Sequence, residues 1–159
     1  MNAQTPMALA REHPFVRGFD PDEIEKLAAL AREVRFAKDE IVYREGEECQ
    51  DFYLVVAGRV VLEITPPSGA FRVDTVEAGD EFGWTAVLGS HERVLQARAL
   101  QDTHALAFDA AELRRLCESD TAFGYSLMRR LLMAAVERLQ AVRIEVMDQY
   151  WPVAKRAGA

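Results

Sequence analysis

An apolar run bounded by glycine turns constrains the fold of this chain more than any other feature of its sequence. The run covers residues 52–56, and turn glycines lie on either side of it at Gly46 and Gly58. Glycine permits the backbone dihedrals that tight reversals need, and a short apolar run between two reversals is typical of a β-strand. A third turn, at Ala78-Gly79-Asp80, follows downstream. This spacing predicts short strands that fold back on one another.

The same texture continues through the middle of the chain. The runs with β-type composition are 34–36, 41–43, 52–56, 60–65, 71–76, 94–100 and 104–108. Turn residues separate them, including Glu45-Gly46, Ala57-Gly58 and the Pro66-Pro67-Ser68-Gly69 segment. We therefore predict seven or eight short strands in a mainly-β roll or sandwich with flanking helices.

Helical periodicity appears before and after this region. The predicted helices cover 21–33, 110–118 and 121–150, and their predicted N-caps are Asp20, Asp109 and Asp120. Pro21 suits the first position of its helix because the missing N–H would have no intrahelical partner there. The switch from a period of two to one near 3.6 predicts that the β region ends at about Phe108.

The long C-terminal helix carries two apolar stripes. One has alternating steps of four and three, as in a coiled-coil seam: Met128, Leu132, Ala135, Leu139, Val142 and Val146. The other consists of Phe123, Leu127, Leu131 and Ala134. A helix with two apolar faces needs two partners, so we predict a homodimer in which the long helices pair. The alternative is a helix that is buried only against its own domain.

Length and pattern together predict the domain organisation. A chain of 159 residues, half of them apolar, can bury one core of ordinary size. We predict a flexible N-terminal arm over 1–12, a single domain over 13–150 that includes the long helix, and a short tail over 151–159.

Charge and cysteine usage limit the classes of partner and compartment. The net charge of −7 argues against nucleic acid as the main partner, because a phosphate-binding surface needs an excess of Lys and Arg. Cys49 and Cys117 match no zinc or iron–sulfur spacing and indicate reduced thiols. No apolar run reaches the roughly 18 residues of a membrane span, and residues 1–11 lack the order of a signal peptide. We expect a cytoplasmic protein with no membrane partner.

The sequence carries no recognisable motif for catalysis or metal binding. The sequence contains no Gly-x-Ser-x-Gly, no Walker-type lysine loop and no His-Glu-x-x-His. Three histidines, His13, His91 and His104, are too few and too scattered for a clustered metal site. We expect a protein that is not an enzyme and holds no metal.

The turns and one basic residue together carry a family resemblance. Gly46, Gly58, the turn over 78–83 and Arg93, ten residues after Gly83, resemble the cyclic-nucleotide-binding domain family. This family provides the sensor half of catabolite-activator-type regulators and of regulated kinases and channels. The resemblance covers residues 14–147. It implies a double-stranded β-helix, also called a jelly roll or β-roll, with an N-terminal helix, a short helix in the phosphate-binding segment and a long C-terminal dimerisation helix.

The resemblance also implies a binding site. In the family, a Gly-Glu pair is followed by a short helix and by an Arg with Ser, Thr or Ala after it. The Arg pairs with the cyclic phosphate, amides of the short helix add donors, and the Glu accepts a hydrogen bond from the ribose 2′-hydroxyl. Here Trp84 takes the Glu position and Val94 the hydroxyl position. The residues that the resemblance places at the ligand are Gly83, Trp84, Thr85, Ala86, Arg93 and Val94; Val87 and Arg98 are further candidates for the pocket wall.

The two departures leave several ligands open. Loss of a hydrogen bond to a charged group costs about 1.5 to 3 kcal/mol, so cyclic AMP and cyclic GMP should bind weakly in the usual pose. Arg93 could bind a cyclic nucleotide held differently, with the Trp84 indole on the base or at the sugar edge, or another small anion. Alternatively Glu92, or another acid of the chain, pairs with it. A haem held by His91 or Cys49 is a further option that the family resemblance suggests.

The output of the domain follows from the same comparison. In catabolite-activator-type transcription factors a DNA-reading domain comes directly after the long helix, whereas only residues 151–159 follow it here. We expect a sensor that acts on a separate protein effector and makes no direct DNA contact. The alternatives are a ligand-free dimeric adaptor, a transcription regulator that acts on DNA and a haem-based gas sensor.

Overall fold

A computed structural model describes residues 3–157, and the side chains of residues 145, 146 and 148–157 lie outside that description. The chain divides into two compact units, Met1–Gly124 and Tyr125–Ala159. The first unit contains all the strands, and the second consists of the greater part of the last helix.

Two antiparallel four-stranded sheets form the first unit. The strands are β1 Arg32–Phe36, β2 Ile41–Tyr43, β3 Asp51–Ala57, β4 Arg59–Ile64, β5 Phe71–Glu77, β6 Glu81–Phe82, β7 Gln96–Ala99 and β8 Thr103–Asp109. One sheet has the order β1-β8-β3-β6 and the other β2-β7-β4-β5. Consecutive strands lie in different sheets, as a rolled chain requires, except for β4 and β5, which pair directly. The predicted β-roll fold is confirmed.

Two strand predictions differ from the structure. β6 was missed because a strand of two residues has no readable period; it exists through the pairing of Tyr53 with Phe82 and of Leu54 with Glu81. The predicted strand over 94–100 is β7, which covers only Gln96–Ala99. Val94 therefore lies in the loop before β7, and so does Arg93.

Aromatic and branched side chains of both sheets meet in the core. One buried cluster consists of Tyr43, Tyr53, Val55, Val60, Leu62, Val76, Phe82, Ala97 and Ala107. The rings of Tyr53 and Phe82 stack with centroids 4.7 Å apart. Burial of a large apolar side chain stabilises a fold by about 1.5 to 3 kcal/mol, so this cluster fixes how the two sheets face each other.

The described residues form four α-helices outside the strands: α1 Pro6–Glu12, α2 Pro21–Ala28, α3 Ala110–Ser119 and α4 Thr121–Ala157. Part of the predicted flexible arm over 1–12 forms α1. The Thr5 side chain caps this helix by accepting from the Ala8 N–H at 3.2 Å, and Ala10 is fully buried. Arg11 holds α1 to α2 through two hydrogen bonds, of 2.6 and 2.9 Å, to the carboxylate of Glu25.

The other helices match their predictions except at the ends. α2 stops at Ala28 rather than at 33 because Arg32–Phe36 pairs with β8, and the Asp20 side chain makes no capping hydrogen bond. α4 continues to Ala157 rather than ending at 150, so it includes residues 151–157 of the predicted short tail over 151–159. A proline such as Pro152 removes one backbone donor, and the helix continues past it.

The caps of the last two helices are as predicted. The Glu112 N–H donates to Asp109 Oδ1 at 2.9 Å, and the Phe123 N–H donates to Asp120 Oδ1 at 3.1 Å. Lys26 of α2 forms an ion pair with Asp120. Asp120 therefore both begins α4 and ties its first turn to the N-terminal helices.

Candidate functional site

Arg93 lies in the loop before β7, and its backbone is tied to the turn between β2 and β3. The Arg93 N–H donates to the carbonyl of Glu47 at 2.8 Å, and the Gly46 N–H donates to the carbonyl of Arg93 at 2.9 Å. A bridge between Glu48 and Glu92 extends this pairing. Because only 5% of Arg93 is exposed, the loop delivers a guanidinium to the interior of the roll.

Backbone carbonyls and an aromatic ring hold this guanidinium. Nη1 donates to the Gly83 carbonyl at 3.1 Å and Nη2 to the Asp51 carbonyl at 2.5 Å. The central carbon lies 4.1 Å from the centroid of the Tyr43 ring, within the range of a cation–π interaction. Nε is buried and has no hydrogen-bond partner in the part of the chain that the structure describes. One donor of the guanidinium is therefore left over.

The alternative in which an acid of the chain pairs with Arg93 is not seen among the described residues. Among the described residues Arg93 forms no ion pair, since its side-chain hydrogen bonds go to two carbonyl oxygens. Glu92 is exposed to solvent. The charge of Arg93 is thus stabilised by dipoles and a ring face, without a carboxylate in contact.

A cavity of about 290 Å³ opens beside Arg93. Its lining residues are Val42, Tyr43, Glu47, Glu48, Gln50, Asp51, Tyr53 and Arg93. The cavity is close to the lower end of the size range for small-molecule sites, roughly 300 Å³. Of these residues, only Arg93 was predicted from the sequence to contact a ligand. The acidic residues of the lining follow the turn at Gly46, which was interpreted only as a reversal of the chain.

The six residues predicted at the ligand are placed differently from one another. Arg93 lines the cavity and Gly83 holds its guanidinium. Trp84 and Thr85 are half-buried and Ala86 is buried, but these three do not line the cavity. Val94 is 74% exposed. That all six surround one ligand stays a prediction; of the six, the cavity lining includes Arg93 alone.

Two further candidates for the pocket wall also lie away from this cavity. Val87 is buried, and Arg98 binds the buried Glu63, with Nε 3.0 Å from Oε1. This contact lowers the pKa of the Glu63 carboxyl. Arg98 is therefore a partner of a buried acid rather than a second cation beside Arg93.

Gly83 makes the close approach of the guanidinium feasible. Its φ of +75° is left-handed, and a Cβ there would lie 3.1 Å from Arg93 Nη1 and 3.1 Å from the Asp51 carbonyl oxygen. Any side chain would press into the bound guanidinium and would also be strained. The close contact with Arg93 and the left-handed φ therefore explain why a glycine is needed at position 83.

The short helix predicted in the phosphate-binding segment is a 3₁₀ turn over Trp84–Ala86. The amides of residues 86–88 donate to the carbonyls of residues 83–85 at 3.1 to 3.2 Å. These amides are therefore used inside the turn. The Gly83 carbonyl accepts from both this turn and Arg93, so the turn and the guanidinium share one acceptor.

Charged groups surround the cavity unevenly. The Asp51 carboxylate is bound by Arg32, with Nη2 2.7 Å from Oδ1. The carboxylates of Glu47 and Glu48 are exposed and form no ion pair with any residue whose side chain the structure describes. Burial raises the pKa of the Tyr53 hydroxyl to about 12, and the nearby Asp51 adds to this shift. Tyr53 is therefore a neutral wall of the cavity over the whole physiological range.

A second cavity, of about 430 Å³, lies at the start of α3. Its lining residues are Arg32, Glu48, Cys49, Gln50, Asp51, Asp109, Ala111 and Arg114. Arg114 Nη1 donates to the carbonyl of Ala86 at 2.5 Å, and Ala86 packs with Cys49 and Ala110 in a buried cluster. These contacts connect the 3₁₀ turn beside Arg93 to the first turns of α3.

The described residues offer neither a metal cluster nor a membrane span. Within them, no three or more His, Cys, Asp or Glu side chains are grouped to hold a metal ion. His91 is exposed and Cys49 is packed among alanines. Over the same residues, no helix has the length and apolar composition to cross a bilayer.

The second unit presents an apolar face to solvent. Of the predicted dimerisation residues, Leu132, Leu139 and Val142 are 65%, 62% and 47% exposed, and Met128 and Ala135 are partly exposed. The side chain of Val146 lies outside the described residues. The other stripe is buried at Leu127, Leu131 and Ala134. Exposure of large apolar side chains along one stripe is the expected state of a pairing face in an isolated chain.

Comparisons with known proteins agree with this geometry. The cAMP-dependent protein kinase regulatory subunit of Dictyostelium discoideum is 29% identical over 107 residues, which cover 65% of this chain and 33% of that protein. The chain thus matches about a third of the length of this relative.

Two solved structures share the fold. A cyclic nucleotide-binding domain from Methylobacillus flagellatus has a TM-score of 0.76 at 17% identity and covers 91% of this chain and 82% of its own. The regulatory subunit of a cAMP-independent protein kinase A from Trypanosoma brucei has a TM-score of 0.65 at 23% identity, over 80% of this chain and 46% of its own. The model of the cyclic nucleotide-binding domain family matches residues 33–120, more than half of the sequence, and the chain therefore belongs to that family.

Proposed function

We propose that this chain is a regulatory module that binds a small ligand through Arg93 and signals as a homodimer through α4 to a separate protein. Cyclic AMP and cyclic GMP are the first ligands to test, followed by other small anions. The proposed module acts in the cytoplasm, contacts no DNA directly and catalyses no reaction.

The proposal depends on one observation: the buried Arg93 lines a cavity, and one N–H donor of its guanidinium has no partner among the described residues. An arginine that is 5% exposed and has no carboxylate in contact keeps its charge at a considerable desolvation cost. Its Nε has no partner in the described chain. An anionic group in the 290 Å³ cavity would supply the missing counter-charge, and a shift of the guanidinium towards that group would give Nε an acceptor.

Family membership supports a regulatory role but leaves the ligand open. A fold relative from Trypanosoma brucei is the regulatory subunit of a cAMP-independent kinase, so the fold alone does not select cyclic AMP. Trp84 stands where the family has a ribose-binding carboxylate. A cyclic nucleotide would therefore bind here by its phosphate, without that acceptor for the sugar.

Contacts inside the first unit provide a route from the ligand to the last helices. Arg93 and the 3₁₀ turn share the Gly83 carbonyl, and the turn is bound to α3 by Arg114. A ligand that draws Arg93 away from Gly83 would free that carbonyl and shift the turn, and α3 would follow. Such a change has a thermodynamic effect only if the ligand prefers one arrangement.

A ligand-free adaptor is the second candidate. The two carbonyls and the Tyr43 ring already hold the guanidinium, which is the arrangement expected of a roll that no longer binds a ligand. In that case the chain would act only through the exposed stripe of α4, by pairing with a second copy.

Thermal unfolding with ligands separates these candidates. We expect cyclic AMP, cyclic GMP or a related nucleotide to stabilise the wild type by about 2.7 kcal/mol at 100 times its dissociation constant. Arg93→Ala should remove this stabilisation. Arg59→Ala is the matched control, since Arg59 is a half-exposed arginine of the same roll that pairs with Glu77. A ligand effect that survives Arg93→Ala, or that is absent from the wild type across the panel, would favour the adaptor.

A further inference from the structure

The cavity beside Arg93 contains charges of both signs that lack a partner. Nε of Arg93 is buried without a hydrogen bond. Two carboxylates of the same lining, those of Glu47 and Glu48, are exposed and have no ion pair among the described residues. The third carboxylate, that of Asp51, is neutralised by Arg32 at 2.7 Å. The cavity thus has one buried cation with an unused donor, and two exposed carboxylates without an ion pair among the described residues.

The backbone fixes this arrangement. The Arg93 N–H binds the Glu47 carbonyl at 2.8 Å, and the Cys49 N–H binds the His91 carbonyl at 3.0 Å. The acidic turn therefore pairs with the arginine loop on both sides of Glu48. Neither segment can move away alone, so the opposite charges stay at the same opening.

A simple anion fits only one part of this cavity. Its charge would be attracted by Arg93 and repelled by the carboxylates of Glu47 and Glu48. A ligand with a positive group next to its negative group would find a partner for each. The aromatic wall of Tyr43 and Tyr53 adds favourable surface for a cationic or apolar linker.

We infer that the Arg93 cavity selects small zwitterions, with an anionic group at Arg93 and a protonated amine at Glu47 and Glu48. This inference rests on the proposed function, because it needs Arg93 to bind an anionic group. It adds Glu47 and Glu48 as the residues that determine specificity. The 290 Å³ volume suits a molecule of amino-acid size.

A matched set of probes tests the charge preference. 4-Aminobutyrate carries both charges, butyrate only the negative one and butylamine only the positive one. Binding is followed at constant ionic strength by amide chemical-shift changes of the full chain. We expect the wild type to bind 4-aminobutyrate about two- to tenfold more tightly than either single-charge probe, as expected for partly solvated charges.

Three variants locate the cause. Glu47→Gln, Glu48→Gln should abolish the preference and strengthen butyrate binding by a similar factor. Arg93→Ala should remove butyrate and 4-aminobutyrate binding. Glu92→Gln, Glu112→Gln is the control; it removes two exposed carboxylates outside the cavity and should keep the wild-type preference.

Failure of the inference and failure of the proposed function give different results. Equal binding of butyrate and 4-aminobutyrate, or a preference unchanged by Glu47→Gln, Glu48→Gln, overturns the inference alone. The inference alone is also overturned if cyclic AMP binds in an Arg93-dependent manner and none of the three probes binds. Absence of Arg93-dependent binding for every probe and for cyclic AMP overturns both.

Discussion

The guanidinium carbon of Arg93 lies 4.1 Å from the centroid of the Tyr43 ring. Tyr43 is itself part of the buried core, with its ring 6.2 Å from that of Phe82 and 6.3 Å from that of Tyr53. The cation of the candidate site therefore rests on the aromatic layer that joins the two sheets. A change in this layer should affect stability and ligand binding together.

Substitution of Tyr43 tests this relationship. Tyr43→Phe keeps the ring under the guanidinium, and Tyr43→Leu removes it. We expect Tyr43→Leu to have a free energy of unfolding lower than that of Tyr43→Phe by about 1 to 2 kcal/mol, from the lost cation–π and ring contacts. Denaturant unfolding measures the difference. Equal free energies of unfolding for the two variants would show that the contact between the Tyr43 ring and the guanidinium does not stabilise the fold.

Gly58 should tolerate no side chain. Its φ is +102°, and a Cβ would lie 2.6 Å from the Thr103 Cα and 2.7 Å from the Asp102 carbonyl oxygen. Both atoms belong to the backbone and cannot rotate away. We expect Gly58→Ala to lower the free energy of unfolding by about 2 kcal/mol or more.

Gly69→Ala is the matched control for that substitution. Gly69 has a φ of +121° with nothing within 4 Å of a Cβ, so it measures backbone strain without the clash. We expect a clearly smaller loss there. A loss at Gly58 no larger than that at Gly69 would contradict the close approach to Thr103.

His104 should make the protein less stable in mild acid. Burial and the facing Arg35 lower its pKa from the ordinary value of 6.5 and outweigh the effect of Glu33, whose carboxylate already binds Arg35 Nε at 2.9 Å. Because His104 binds a proton more readily in the unfolded chain than in the folded one, the contribution of neutral His104 to stability is fully present above about pH 6.5. It should be lost as the pH falls from there through the lower folded-state pKa.

Unfolding free energies across pH 5 to 8 measure this dependence. His104→Gln should flatten the decrease below about pH 6.5, whereas His91→Gln, at an exposed histidine, should leave it in place. An identical pH dependence for wild type and His104→Gln would assign the acid sensitivity to other groups.

Leu139 tests the proposed pairing of α4. Its side chain is 62% exposed in the single chain, and the proposed homodimer would bury it. Leu139→Asp should give monomers in sedimentation velocity, because a carboxylate cannot be buried unpaired. Gln140→Asp adds the same charge at the next exposed position, off the seam, and should remain dimeric. A dimer unaffected by Leu139→Asp would place the interface elsewhere.

Most of the fold could be predicted because its signals are local. The apolar run of β3 between Gly46 and Gly58 and the caps Asp109 and Asp120 each depend on neighbouring residues. The misses have non-local causes: β6 exists only through its pairing with β3, and α2 ends where the chain joins β8. α1 was missed although Thr5 and Pro6 form a recognisable start.

The candidate site was only partly predictable for a related reason. Arg93 was found from its spacing after Gly83, within one segment. The acidic lining comes from the turn at Gly46, and only the backbone pairing of Glu47 with Arg93 brings it near. The carbonyl of Asp51 as a partner has no sequence signal, because every residue carries a carbonyl.

The Nε–H signal of Arg93 in a nitrogen–proton NMR spectrum tests the central claim most directly. It is assigned by its absence from Arg93→Lys and followed during titration with cyclic AMP, cyclic GMP and 4-aminobutyrate. We predict that at least one ligand shifts this signal in a saturable manner, because the free Nε donor then gains an acceptor. A signal that stays in place with every ligand would contradict ligand binding at Arg93.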